Sequence, residues 1–220
     1  MSEPKSEAKR LEPVSPDLWR WHVADDRIEG AESDAYALVD AGRVVLIDPL
    51  PIDAALLERL GKIEAIVLTA PNHQRSAWRF RRRFGAKVYA PESDVVMDEA
   101  ADHTYSGGDL LPGGLMAFHA PGPAEATHAL WLERPVGVVF VSDLLTREHR
   151  HTPTFIPAQW QKSPARTRAS VRRLLDDLPF EVACFAHGPP VVHDARRAVE
   201  AALDTDHEPL PAPSGTPAQP

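Results

Sequence analysis

Ile63–Arg75 reads IEAIVLTAPNHQR, a pattern that predicts a buried strand, a polar loop and the start of a helix. The first six residues are apolar apart from Glu64, which is typical of a strand inside a sheet. After the loop, apolar residues at helical spacing predict a helix over residues 73–84, which Gly85 ends. Layered α/β proteins bind ligands and metals in the loops after their strands, so this loop is a candidate site.

Strands and helices alternate on both sides of this stretch. The pattern predicts strands over residues 36–39, 44–47, 87–90, 114–119, 128–132, 137–141 and 182–185, and helices over 53–61, 164–177 and 192–203. Helices that alternate with strands in both halves indicate sheets with helices on their outer faces. Four further polar segments follow predicted strands: Asp48-Pro49, Pro121-Gly122-Pro123, Ser142-Asp143 and Ala186-His187-Gly188.

Length and composition indicate one globular domain. The chain has 220 residues, of which 43% are hydrophobic. Residues 1–15 are polar and residues 206–220 are rich in proline, so we expect both ends to be disordered and the domain to span residues 16–205. The formal charge of −8 argues against binding to nucleic acid or to an anionic membrane surface.

The sequence also limits the cellular compartment. The first residues contain no apolar signal segment, and no apolar run approaches the roughly 18 residues of a membrane helix. We therefore expect a cytoplasmic protein with no membrane partner. The single cysteine, Cys184, excludes an intrachain disulfide and a cysteine-rich zinc site.

The succession of these segments resembles the metallo-β-lactamase-fold superfamily. The resemblance covers about residues 17–204 and rests on Ile47-Asp48-Pro49, Leu68-Thr69 with its loop and helix, Pro121-Gly122, Ser142-Asp143-Leu144-Leu145 and Ala186-His187-Gly188. It implies an α/β fold, a four-layer αββα sandwich with a metal site at one edge between the two sheets. It also implies hydrolysis of lactams, thioesters, phosphoesters or similar bonds with one or two metal ions, most often zinc.

The metal-binding motif of that superfamily is largely absent from this chain. In the family, H-x-H-x-D-H follows the strand directly, and a further histidine follows a Pro-Gly pair. The corresponding positions here hold Ala70, Asn72, Gln74, Arg75 and Pro123. Asp143 and His187 match two later ligands of the family, and His73 falls at a spacer position of the motif.

These differences from the family motif argue against metal binding. Ala and Pro offer no side-chain ligand, and the carbonyl oxygens of Asn and Gln suit zinc poorly. Arg75 brings a permanent cation to the loop, so we predict that its guanidinium replaces the metal and pairs with Asp143. We therefore expect no cofactor, with zinc as the alternative. If a metal binds, its ligands are at most Asp143 and His187, joined by His73 or His119.

Seven residues are expected to line the cleft of the former active site. They are Asp48, Asn72, His73, Arg75, His119, Asp143 and His187. Some also have a structural interpretation. Asp48 and Asp143 can brace their loops, His187 can bond to backbone at a Gly-Pro turn, and His73 can be an ordinary core histidine at the start of a helix.

Three functions stay open. The first is a non-catalytic or strongly divergent family member that binds a small anionic ligand, because Arg and His side chains suit a carboxylate or phosphate. The second is a metal-dependent hydrolase of an ester, thioester or amide with a reduced, mononuclear site. The third is a subunit or scaffold that acts through protein contacts at residues 155–160 and the Pro-rich tail. The loss of the principal motif favours the first.

Overall fold

The computed structural model describes residues 3–134, 136–148 and 151–206. Two large sheets face each other, and helices cover the outer face of each sheet, as the sequence predicts. One apolar cluster lies between the two sheets, and one lies between each sheet and its helices. The architecture is therefore the four-layer αββα sandwich.

The first sheet has seven strands that lie in chain order. They are β1 (Glu12–Ser15), β2 (Leu18–Asp25), β3 (Ala31–Asp40), β4 (Arg43–Ile47), β5 (Lys62–Val67), β6 (Lys87–Pro91) and β7 (His103–Tyr105). Strands β1 to β4 pair antiparallel, and strands β4 to β7 pair parallel. The carboxyl ends of β4 to β7 consequently lie at the same edge of the sheet.

The second sheet begins after the first is complete. Its strands are β8 (Leu110–Leu111), β9 (Leu115–His119), β10 (His128–Leu132), β11 (Val138–Phe140) and β14 (Val182–Cys184). They lie in the order β14-β11-β10-β9-β8, and β11 pairs parallel with β14. Two short strands, β12 (Leu145–Thr146) and β13 (Thr154–Phe155), pair with each other outside this sheet.

Two helices cover each sheet. They are α1 (Ala54–Glu58) and α2 (Ala77–Phe84) on the first sheet, and α3 (Pro164–Asp177) and α4 (Ala195–Thr205) on the second. Helix α2 starts later than the sequence predicts. Residues 71–73 form a separate 3-10 turn, and Arg75 has a φ of +40°, which a continuing α-helix does not allow. Ala77, Trp78 and Phe80 are buried and anchor the shortened helix.

Residues 3–15 make defined contacts with the rest of the domain, which corrects the prediction of a disordered segment for these residues; residues 1–2 of that prediction lie outside the described residues. Strand β1 extends the edge of the first sheet by pairing with β2. Ala8 bridges to Ile52 and is 7% exposed. Glu3 accepts a hydrogen bond from the Ser76 hydroxyl at 2.6 Å. The polar composition of the segment predicted disorder, because the contacts that stabilise it, such as those with Ile52 and Ser76, come from other parts of the chain.

The C-terminal prediction falls largely outside the described residues. Of the predicted tail over residues 206–220, Asp206 is described, and it pairs with Arg168. Within the predicted contact surface, Phe155 is partly buried beside the Arg168 guanidinium, whereas Trp160 is 69% exposed. No helix in the described ranges has both the length and the apolar composition to cross a membrane.

Candidate metal centre

Four loops meet at one edge of the sandwich. Asp48 follows β4, residues 68–75 follow β5, Asp143 follows β11, and residues 186–188 follow β14. Because β4 is parallel to β5 and β11 is parallel to β14, the carboxyl ends of each pair lie together. Hydrogen bonds between the two sheets bring both pairs of ends to the same edge.

His73, Asp143 and His187 form the candidate metal centre. One ligand atom of each residue lies within 4.8 Å of the others. The Nε2 atoms of His73 and His187 lie 3.1 and 3.3 Å from Asp143 Oδ1. Both contacts are short but lack the alignment of a hydrogen bond, so this buried oxygen has no hydrogen-bond partner within the described residues. Two imidazole nitrogens and one carboxylate oxygen thus face one another.

Asp48 and Thr69 fix the orientation of His73. The histidine is 3% exposed, and its Nδ1 lies 2.8 Å from Asp48 Oδ2. Thr69 donates to the same carboxylate, from its backbone N–H at 2.8 Å and from its hydroxyl at 2.5 Å. With Nδ1 held by Asp48, Nε2 lies toward Asp143. A carboxylate behind an imidazole ring is the usual way in which a protein orients a histidine ligand.

Strand β3 fixes the orientation of His187. Its Nδ1 lies 2.9 Å from the Glu32 carbonyl oxygen, and because a carbonyl accepts, Nδ1 carries the proton. In the neutral ring, Nε2 then has the free lone pair. Beside it, the Gly188 N–H donates to Asp34 Oδ2 at 2.5 Å, and the Asp34 N–H donates to the Ala186 carbonyl at 2.8 Å. Three contacts therefore hold the loop of His187 against β3.

A buried arginine supports this strand. Arg20 is 6% exposed, and its guanidinium pairs with Asp34 and Glu32 and lies 2.8 Å from Glu12. Burial raises the pKa of Asp34 to about 6, although Arg20 opposes the shift. The charge of the Asp34 carboxylate consequently depends on the presence of Arg20.

Three non-glycine residues beside the cluster have a left-handed backbone. The φ angles are +47° at Asp48, +40° at Arg75 and +53° at Ser142. This conformation is unfavourable for most side chains, and such residues collect at functional sites. Ser142 directly precedes Asp143, so its turn sets the direction of the Asp143 side chain. The clustering of these residues therefore supports a functional role for this edge.

The two carboxylates around His73 change its protonation. Burial opposes a charge on the ring, but Asp143 and Asp48 outweigh burial and raise the pKa of His73 to about 9. Burial acts to raise the pKa of Asp143, but His73 and His187 keep it well below its usual range. Without a metal, His73 is therefore an imidazolium between two carboxylates at neutral pH.

Arg75 does not pair with Asp143, which corrects the sequence prediction. Arg75 is buried, and its Nη1 donates to the backbone carbonyls of Asp34 at 2.6 Å and Asp48 at 3.2 Å. His73 takes the place beside the Asp143 carboxylate. Burial lowers the pKa of Arg75, although Asp48 and Asp143 oppose the shift. Arg75 thus links the backbone at Asp34 and Asp48 and does not replace the metal.

Asn72 and His119 lie outside the cluster. The Asn72 side chain is exposed. The Nε2 of His119 lies 2.8 Å from the Glu125 carbonyl oxygen, and its ring packs against His128 with 5.0 Å between the ring centroids. Of the two histidines considered as a third ligand, the structure therefore brings His73 to Asp143.

Four residues contribute to the site although the sequence analysis assigned them no role. They are Glu32, Asp34, Thr69 and Ser142. The hydroxyls of Thr69 and Ser142 lie 2.8 Å apart and link loops that follow strands of different sheets. For Glu32 and Asp34, the available signal was two acidic residues at alternate positions of one strand.

The donor set fits a single divalent cation. Zinc prefers imidazole nitrogen and carboxylate oxygen, and catalytic zinc sites commonly use three protein ligands. A cation would also give Asp143 Oδ1 the partner that it lacks. The family motif positions hold Ala70, Asn72, Gln74 and Arg75, and the described residues provide no second group of three ligands.

Comparison with solved structures identifies proteins of the same architecture. DIM-1 metallo-beta-lactamase has a TM-score of 0.72 at 14% identity, over 91% of this chain and 98% of that chain. VMB-1 has a TM-score of 0.70 at 13% identity, over 90% and 96% of the two chains. A metallo-beta-lactamase from Pontibacter korlensis has a TM-score of 0.70 at 14% identity, over 90% and 99%. At these identities the likeness shows the fold.

Sequence comparison gives the family. A comparison with curated proteins gave no match. The family profile described as the metallo-beta-lactamase superfamily matches residues 9–204, which is most of the chain. The match includes every loop of the candidate metal centre. The chain therefore belongs to the metallo-β-lactamase superfamily.

Proposed function

We propose that the protein is a hydrolase of esters, thioesters or amides that uses one divalent metal ion, with zinc as the best fit. The observation that carries the proposal is the convergence of His73, Asp143 and His187 within 4.8 Å. In both histidines Nδ1 is engaged by an oxygen acceptor, so Nε2 is the nitrogen presented to the metal.

The residues of the chain would hold and orient the metal. His73 and His187 would supply neutral Nε2 atoms and Asp143 a carboxylate oxygen, while Asp48 and the Glu32 carbonyl hold the rings from behind. A metal with three protein ligands and an open position supplies an activated water near neutral pH and polarises a carbonyl oxygen. Asp143 and His187 are partly exposed, with 15% and 21% of their side chains accessible, so a substrate can approach.

Elemental mass spectrometry tests this proposal. We expect roughly one zinc per chain after zinc loading and desalting. His73→Ala and Asp143→Asn should each lose this zinc. His193→Ala, at an exposed histidine outside the cluster, is the matched control and should retain it. Absence of stoichiometric zinc, cobalt or manganese in the loaded wild-type protein would overturn the proposal. An ester and thioester screen of the loaded protein then tests hydrolysis.

One observation favours a second candidate, a metal-independent ligand-binding protein. The Arg75 guanidinium and the His73 imidazolium carry two positive charges, which offset the two negative charges of Asp48 and Asp143. The site therefore needs no metal cation to balance its carboxylates. The sequence predicts an anionic ligand because Arg75 could bind it. In the structure Arg75 donates to backbone carbonyls instead, which weakens that prediction. A protein that takes up no metal and keeps its melting temperature in a chelator would support this candidate.

A further inference from the structure

A cavity opens at the same edge of the sandwich as the candidate metal centre. Its volume is about 630 Å³, which is within the range of small-molecule sites. Its lining includes Glu92, Asp94, Tyr105, His119, His128 and Lys162. The His128 N–H donates to the Thr69 carbonyl at 2.9 Å, and the Tyr105 hydroxyl donates to the Leu68 carbonyl at 2.6 Å. The cavity therefore adjoins the loop that carries His73.

His128 lines this cavity, and one nitrogen of its ring is buried and unpaired. The residue is 3% exposed, and its Nδ1 lies 3.0 Å from the Ala126 carbonyl oxygen, so Nδ1 carries the proton. Nε2 is then an acceptor, and it has no hydrogen-bond partner in the part of the chain that the structure describes. Burial lowers the pKa of His128, which keeps the ring neutral. Buried polar atoms normally have a hydrogen-bond partner, so a ligand that donates to this nitrogen would be favoured.

The neighbouring ring presents a similar acceptor. His119 Nε2 lies 2.8 Å from the Glu125 carbonyl oxygen, so its Nδ1 accepts in the neutral ring. The centroids of the His119 and His128 rings are 5.0 Å apart, and the Tyr105 ring meets His128 edge-on at 5.1 Å. One wall of the cavity thus combines the aromatic surface of Tyr105 with two imidazole rings.

The charge around the cavity favours a cation. The lining carries three carboxylates, Glu92, Asp94 and Glu125, against one ammonium, Lys162. Glu125 is also paired with Arg166 at 2.5 Å. Glu92 and Asp94 are exposed and supply the excess negative charge at the mouth.

We propose that this cavity binds a small organic ligand through an ammonium group, which donates to His128 and lies in the field of Glu92 and Asp94. A charge-assisted hydrogen bond to a buried acceptor, beside aromatic rings, suits a primary amine better than an alcohol or a carboxylate. If the proposed hydrolysis holds, this ligand is the amine-bearing part of the substrate; this link rests on the proposed function, whereas the binding itself does not.

Nuclear magnetic resonance titration of the metal-free protein tests the inference with benzylammonium, benzyl alcohol and benzoate. These probes share a ring and differ in charge, and the backbone amides of Gly107 and Ala126 report binding. We expect benzylammonium to saturate these signals with a dissociation constant at least about tenfold below those of the other two. His128→Phe should raise that constant about tenfold, and the exposed control His193→Phe should not change it.

A second variant keeps the test informative if His128→Phe does not fold. Asp94→Asn changes an exposed side chain and should weaken benzylammonium binding about two- to threefold without affecting benzyl alcohol. Equal binding of the three probes, preference for benzoate, or saturation of these amides by zinc alone would overturn the inference. Zinc content, measured on the same protein, reports separately on the hydrolase proposal, so failure of one does not imply failure of the other.

Discussion

Asp34 and Gly188 join the two sheets beside the candidate metal centre: the Gly188 N–H donates to Asp34 Oδ2 at 2.5 Å. Asp34 lies on β3 of the first sheet, and Gly188 follows β14 of the second. Gly188 is also the neighbour of His187. The position of His187, a proposed metal ligand on one sheet, thus depends on a buried carboxylate of the other.

Asp34→Asn should therefore destabilise the fold and weaken metal binding together. The substitution leaves Arg20 without its buried ionic partner, which we expect to cost about 2–4 kcal/mol of unfolding free energy. Urea denaturation measures the loss. Asp40→Asn, on the same strand but with 47% of its side chain exposed, is the control and should change stability by less than about 0.5 kcal/mol. Equal stability of the two variants would contradict the role of Asp34.

Gly188→Ala should disrupt the loop of His187 by collision. Gly188 has a φ of +104°, and an added Cβ would lie 1.8 Å from the Arg147 carbonyl oxygen. We expect a loss of more than about 3 kcal/mol of unfolding free energy. Gly108→Ala isolates the backbone effect, because Gly108 has a φ of +94° and open space around its Cβ position; that variant should lose about 1 kcal/mol. Thermal and urea unfolding compare the two, and similar losses would refute the collision.

Asp48→Asn should weaken metal binding and should also lower stability, because an amide cannot accept from all the donors that surround this buried carboxylate. The variant keeps the shape of the side chain but removes the negative charge 2.8 Å from His73 Nδ1. Loss of such an orienting carboxylate typically costs about 10- to 100-fold in metal affinity. Competition with a chromophoric chelator measures zinc affinity. Asp53→Asn removes a carboxylate at the start of α1 and should leave the affinity unchanged.

The lowered pKa of Asp25 should make the unfolding free energy decrease at acid pH. Burial acts to raise the pKa of its carboxyl, but hydrogen bonds from Arg27 and Ser33 outweigh burial and lower it to about 2, from 3.8. A lowered pKa in the folded state stabilises the protein above pH 3.8, and this contribution disappears as the pH falls from 3.8 toward 2. We expect Asp25→Asn to cost about 1–2 kcal/mol at pH 6 and progressively less below pH 4. A constant difference across this range would contradict the assignment.

The sandwich could be predicted because apolar patterns mark most of its central strands. Val44–Ile47 and Ile63–Val67 are nearly uniform apolar runs, and both are strands in the structure. Strand β2 was missed because Arg20 and His22 interrupt its pattern. Arg20 is buried among carboxylates from other strands, and those contacts exist after folding rather than in the local sequence.

The candidate site was predicted in part. Asp48, Asp143 and His187 followed from the order of loops, and the structure places all three at the edge where the loops meet. His73 falls at a spacer position of the family motif, so the sequence left open whether it or His119 would be the third ligand. The left-handed backbone at Arg75 is part of the loop that carries His73, and no glycine marks this position in the sequence.

The single passage of the chain from one sheet to the other has a consequence for protein engineering. The first sheet is complete at Tyr105, and the second starts at Leu110. A break in the segment between them would place His73 on one fragment and Asp143 and His187 on the other. The metal uptake that we propose would then require both fragments at once, so it would report reassembly of a split protein.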